Sequence, residues 1–191
     1  MKIIAFVGMP ASGKSEASNV AREMGIPVVT MGDVIRREVE LRGADPADGG
    51  KIATELRKTE GMDAIAKRCM VMIQEKMNVS GSNVLVIDGV RGIAEVDYFK
   101  EHLGAGFMLV SIAIDSPVEE RFERIVIRKR EDDMDSIEKL KERDDREIGW
   151  GMGDAILASD RVIENKSSLS EYREKIRKLF EEMMDEGRKN L

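Results

Sequence analysis

The sequence predicts an α/β fold of three layers, with a five-stranded parallel sheet between two layers of helices. Three observations predict it. Short apolar runs recur at Lys2–Val7, 27–30, Val84–Asp88, 107–114 and 161–163. Most are continuous rather than alternating, as strands covered on both faces are. Segments of helical periodicity separate them, and that alternation implies right-handed crossovers. The first run passes straight into a glycine-bearing turn, Gly8-Met9-Pro10-Ala11-Ser12-Gly13-Lys14-Ser15, and then into a helical stretch over 16–24.

Composition bounds the rest. The chain has 191 residues, 42% of them hydrophobic, enough for one domain with a substantial core. Net charge is −6, and the 36% of residues that are charged intersperse both signs. No basic excess marks a nucleic-acid footprint. Cys69 is the only cysteine and His102 the only histidine, which excludes a disulfide, a cysteine-rich zinc site and a multi-histidine metal centre. The apolar start, about six residues long, is shorter than a signal-peptide core. No stretch approaches the ~20 apolar residues of a membrane span. A soluble, cytoplasmic chain with no membrane contact is expected; nothing in the sequence sets an oligomeric state.

Helix signals support the layers. Ser116-Pro117-Val118-Glu119 is a capping box with proline at the first helical position. It leads into Val118, Phe122, Ile125 and Val126 at helical spacing. Ser168-Leu169-Ser170-Glu171 opens a last helix with Tyr172, Ile176, Leu179, Phe180 and Met183 on one face, and Gly187 is the expected stop.

The turn after the first strand carries the chemistry. Gly8 through Ser15 fits G-x-x-x-x-G-K-S/T, in the strand-before, helix-after context this motif requires. Glycines let backbone N–H groups converge on an anion, and the helix N-terminus adds favourable charge. Lys14 then reaches the β- and γ-phosphates of a nucleotide, the Ser15 hydroxyl ligates Mg²⁺, and Glu16 follows in the first helical turn. The pattern arises by chance in roughly one chain in a hundred of this length, and the flanking strand and helix lower that further. The fold expected is therefore that of P-loop nucleoside triphosphate hydrolases, with ATP and Mg²⁺ as cofactors.

Three further segments resemble the adenylate kinase family. Thr30-Met31-Gly32-Asp33-Val34-Ile35-Arg36 looks like the start of its acceptor-nucleotide domain. Val86-Ile87-Asp88-Gly89-Val90-Arg91, followed by Glu95 and Asp97, is similar to D-G-F-P-R-x-x-x-Q-x-D with one residue missing before the arginine. Arg124-Ile125-Val126-Ile127-Arg128 matches the R-x-x-x-R at the base of the lid. The likeness covers most of the chain in order and is sparse outside the phosphate loop. It looks closest to archaeal adenylate-kinase-related proteins, with a secondary likeness to dephospho-coenzyme A kinases. Met31 stands where adenylate kinases have Thr.

The resemblance implies a nucleoside monophosphate kinase with catalytic Lys14, Arg91 and Arg128. Gly32, Asp33, Arg36, Arg91 and Glu95 would meet the acceptor. Arg124 would stack on the donor base, Arg128 would bind its phosphates, and Asp88 would serve Mg²⁺ beside Ser15. From the residues alone, Arg36 and Arg91 suit a bidentate clamp on an acceptor phosphate. Other readings stand beside these. Arg36 and Arg37 also fit a solvated helix face, Asp33 a helix cap near Val34, and Arg124 a surface pair with Glu120. A buried Asp88 without compensation would be costly, which favours the Mg²⁺-water role. Glu95 stands where adenylate kinases have glutamine, so its carboxylate would suit guanine or cytosine better than adenine.

The single domain then divides into a core (1–30, 84–127, 155–191), an acceptor-binding insert (31–83), whose segment 41–77 suits a small mobile helical unit, and a short helical lid (128–154). Cys69 lies in the helical pattern of the insert as a buried apolar residue. Arg121 falls on one helical face with Arg124 and Arg128. Arg130, Arg143 and Arg146 are candidate phosphate ligands in the lid, although alternating charge is usually a solvated face. Gly149-Trp150-Gly151-Met152-Gly153 reads as a hinge, or Trp150 as a core plug. Asp160 through Lys166 resembles the last strand and adenine-side loop of dephospho-coenzyme A kinases. Asn165-Lys166-Ser167 lacks the Asp of the guanine-reading N-K-x-D. The activity expected is γ-phosphoryl transfer from ATP to a nucleoside monophosphate or similar phosphorylated acceptor. The alternatives are a dephospho-coenzyme A kinase-like enzyme and an ATP-responsive regulatory protein with weak turnover.

Overall fold

The run Lys2–Val7 forms the central strand because Ile3 through Val7 are all apolar, and all six residues, Lys2 at the strand's start included, are buried. The computed structural model describes residues 1–128 and 134–188, without the side chains of 128 and 186–188. Strands β1 (Lys2–Val7), β2 (Val28–Thr30), β3 (Val84–Asp88), β4 (Met108–Asp115) and β5 (Arg161–Glu164) make one sheet in the order β2-β3-β1-β4-β5. Every pairing is parallel; Ile4 faces Val86 on one side and Val110 on the other. Each expected run yields a strand. Pro27 falls just outside β2, yet its carbonyl still accepts from Val86 N at 2.9 Å. Phe107 is spent on a turn to Gly104 O instead of opening β4.

Helices are α1 (Lys14–Glu23), α2 (Met31–Arg42), α3 (Gly49–Glu60), α4 (Ala64–Val79), α5 (Ile93–His102), α6 (Val118–Arg128), α7 (Ile137–Gly149), α8 (Met152–Leu157) and α9 (Leu169–Arg188). The period-two pattern of the strands divides the core. Ile3, Ala5 and Val7 join Leu85 and Ile87 under α2, α4, α5 and α8. Ile4 and Phe6 join Val86, Ile112 and Ile114 under α1 and α9, where the Phe6 and Phe180 rings meet edge to face at 6.1 Å.

Within 31–83, Ile65, Cys69 and Ile73 of α4 lie in the main core, and Ile52 and Leu56 of α3 form a small cluster with Val39 of α2 and Ala64 of α4. Burial pushes the Cys69 thiol up to about 12, as an inert apolar residue requires. At the other end α9 runs through Gly187 to Arg188. Its start, where the sequence opens a last helix, is a capping box: Ser168 Oγ accepts from Glu171 N at 3.3 Å, and Glu171 Oε2 accepts from Ser168 N at 3.1 Å. Asp33 lies inside the first turn of α2 rather than capping it, because the helix begins at Met31.

Candidate functional site

The loop from Gly8 to Gly13 lies at the carboxyl end of β1, between the ends of β3 and β4, where open α/β sheets hold ligands. Its backbone departs from what side chains allow. Gly8 has φ 143, and a Cβ there would sit 2.6 Å from Ile114 O; Gly13 has φ 118, and a Cβ would meet Asn165 Nδ2 at 2.4 Å. Ala11, which does carry a Cβ, takes φ 61, an uncommon conformation of the kind that clusters at ligand-binding loops.

Lys14, the first residue of α1, is 8% exposed and folds back to donate to Gly8 O and, at 2.9 Å, to Met9 O. Among the described residues no carboxylate pairs with it directly. Burial pulls its pKa down to about 8; Arg91 adds to the fall, and Glu147 and Asp88 oppose it. Ser12 Oγ is buried without a hydrogen-bond partner among the described residues. A desolvated cation beside an unsatisfied hydroxyl fits a polyanion. Ser15 is exposed beside them, and Asp88, 6% exposed, ends β3 in register with Phe6 and Thr30. Among the described residues no cation pairs with Asp88, so a hydroxyl and a carboxylate remain for Mg²⁺. No group of three or more acidic, His or Cys residues among those described forms a ready-made metal cage.

Neighbouring elements brace the loop. Asn165 Nδ2 donates to Ser12 O at 2.8 Å, and the Tyr172 hydroxyl donates to Gly13 O at 3.0 Å. Arg121, 4% exposed, donates to Pro10 O at 3.0 Å and bidentately to Asp144 of α7 at 2.9 and 2.6 Å. Glu16 is occupied by Arg173 of α9. Arg121 thus braces the loop, its donors taken by Ser116 O, Pro10 O and Asp144.

The expected acceptor residues fare unevenly. Arg91 lies in the β3–α5 loop and donates to Glu147 of α7, with Arg143 Nε 3.6 Å from the same oxygen. Lys14, Arg91, Arg143, Asp88 and Glu147 thus form one cluster of interacting charges. Arg36 points to solvent, paired with Asp33 one turn earlier and passing over Gly32. Glu95 corrects the base-reading expectation. It is 1% exposed; Oε1 accepts from Arg57 at 2.9 Å and Oε2 from Arg91 N at 2.7 Å, so both oxygens are engaged internally. Burial raises its pKa, with Arg57 opposing. Arg124 donates to Ser116 Oγ, Glu120 and Asn165 O, the last at 2.7 Å, which sets it beside the β5–α9 loop. The Arg128 side chain and all of Arg130 lie outside the described residues.

Trp150 is half-buried, with the Arg57 and Arg146 guanidiniums 4.7 and 5.5 Å from its ring centroid. It is therefore no core plug. The sequence singles out none of Glu147, Asp144, Arg57 and Tyr172 Oη. The two acids hide in the alternating charges of α7, where only their spacing from buried Leu140, at i+4 and i+7, marks an inward face.

Fold and loop together define a P-loop domain, and the family model described as an AAA domain matches residues 7–141. More closely, the chain belongs to the UPF0200 family: it is 57% identical over 178 residues to the UPF0200 protein of Methanosarcina barkeri, covering 92% of each chain. Among solved structures it is similar to TT1252 from Thermus thermophilus, with a TM-score of 0.64, 16% identity, and 94% and 96% of the two chains covered. It is also similar to the dephospho-CoA kinase from Campylobacter jejuni, with a TM-score of 0.57, 16% identity, and 97% and 98% covered. At such identities these two likenesses concern the fold. No helix among the described residues is long and apolar enough to cross a membrane.

Proposed function

We propose that this protein is a Mg²⁺-ATP-dependent phosphotransferase that moves the γ-phosphoryl group of ATP to a small phosphorylated acceptor of the nucleoside monophosphate kind. The observation that carries this reading is the Lys14 ammonium, buried in a glycine-shaped loop with carbonyls for partners and, among the described residues, no carboxylate. Such a group is stabilised by an anion with several oxygens. The amides from Met9 to Lys14 would line the β-phosphate, and Lys14 would turn from Gly8 O to the β- and γ-phosphates. Ser15 and Asp88 would hold the Mg²⁺, which neutralises triphosphate charge when bound. Arg91, with Arg143 beside it, would face the charge that moves with the phosphoryl group, and Arg128 would add to it by the likeness to adenylate kinases. Arg124 would serve the donor base, and Gly32, Asp33, Arg36 and Arg91 the acceptor. A reaction drawing on ATP belongs in the cytoplasm.

One observation favours a second reading, an acceptor of the dephospho-coenzyme A kind. The position that reads the acceptor base in adenylate kinases is held here by Glu95, which is enclosed by Arg57 and the Arg91 amide. The test is ADP release with ATP or GTP as donor and AMP, GMP, CMP, UMP or dephospho-coenzyme A as acceptor. The expected result is stimulation by at least one monophosphate. Arg36→Ala or Arg91→Ala should weaken that acceptor about 10- to 150-fold, the worth of one charge-assisted bond, with ATP affinity nearly unchanged. Stimulation by dephospho-coenzyme A alone supports the second reading. ATP binding with no stimulation by any acceptor would leave a regulatory ATP-binder in place of the enzyme.

A further inference from the structure

Two acids of α7 turn inward, and they do different things. Asp144 takes Arg121 and so ties the helix to the shoulder of the phosphate loop. Glu147, nearly one turn on and 1% exposed, takes charges from the reaction side. Its Oε1 accepts from Arg91 Nη1 and lies 3.6 Å from Arg143 Nε, while Oε2 is buried without a hydrogen-bond partner among the described residues. A carboxylate removed from water with one oxygen unsatisfied is costly. Asp144 already ties α7 to α6 and the phosphate loop, so anchoring alone gives this second acid no reason to be there. What Glu147 does uniquely is bring two guanidiniums from separate segments, the β3–α5 loop and α7, to one oxygen.

We propose that Glu147 is a positioning residue for phosphoryl transfer, holding Arg91 and Arg143 as a preset pair beside Lys14; the proposal rests on the phosphotransferase reading above. Guanidiniums fixed before the ligand arrives need no reorganisation when charge develops on the transferred group. Left alone, two neighbouring cations would splay apart into solvent.

Steady-state kinetics of Glu147→Gln and Glu147→Asp test this. Glu147→Gln keeps the shape and an acceptor oxygen but removes the charge. It should lower kcat about 100-fold, the cost typical of misplaced catalytic groups, while KM for ATP at pH 7 changes by no more than about threefold. Glu147→Asp, which keeps the charge one methylene short, should recover part of the lost kcat; it serves as the test if Glu147→Gln does not fold. A folded Glu147→Gln protein with wild-type kcat, or one whose loss falls on KM for ATP alone, would overturn the proposal. A wild type that binds ATP but shows no turnover with any acceptor would overturn the phosphotransferase reading, and the transfer role with it.

Discussion

Lys14 enters the folded protein with its ammonium nearly out of water, and its pKa falls to about 8 from an ordinary value near 10.5. The sign of the consequence follows from proton counts. Between about pH 8 and pH 10.5 the unfolded chain holds more protons than the folded one at this site, so ligand-free stability rises with pH across that window. Below it, the buried charge costs on the order of 1–3 kcal/mol. Lys14→Met, which keeps the volume and removes the charge, should therefore be more stable than wild type at pH 7 in urea melts. The gap should close as the pH is raised towards 10. A variant less stable than wild type at pH 7 would mean that the Gly8 and Met9 carbonyls outweigh the cost of burial.

At the scale of elements, α7 is held along the second half of its inner face, through Asp144 to Arg121 and through Glu147 to Arg91. The turn after it is clamped too, with Ile93 N donating to Gly151 O at 3.1 Å. Gly92 permits that clamp by close approach rather than by unusual backbone: its φ is −177, and a Cβ there would lie 2.2 Å from Trp150 O. The expected hinge at 149–153 is thus packed against the β3–α5 loop, and Met152 and Ala155 of α8 sit in the main core. Gly92→Ala should push the α7–α8 turn away from Arg91 at a cost of about 1–3 kcal/mol, typical of overpacking. Trp150, the only tryptophan, should report it. A shifted emission maximum in the folded variant is expected; emission and stability equal to wild type would show that the turn can move aside freely.

For the whole molecule, the strands and the phosphate loop were legible because both are written locally: continuous apolar runs mark doubly covered strands, and the glycine-lysine spacing marks an anion cradle. The charge cluster was not, because it joins residues far apart in the chain. Arg91 meets Glu147 across 56 positions and Arg57 meets Glu95 across 38, and no local pattern separates such acids from a solvated face. The same reason misplaced Glu95, whose burial depends on α3 supplying Arg57. What the sequence and the fold agree on is that one loop, between β1 and α1, is built around a buried cation for a polyphosphate. Calorimetric titration of Mg²⁺-ATP into wild type and Lys14→Met, at pH 7 and pH 9.5, tests that claim most directly. The triphosphate should hold Lys14 protonated, so wild type should bind at pH 7 and bind about tenfold more weakly or worse at pH 9.5, taking up protons as it does. Lys14→Met should bind weakly at both values with little difference between them. Equal affinity of the two proteins at pH 7 would contradict the account.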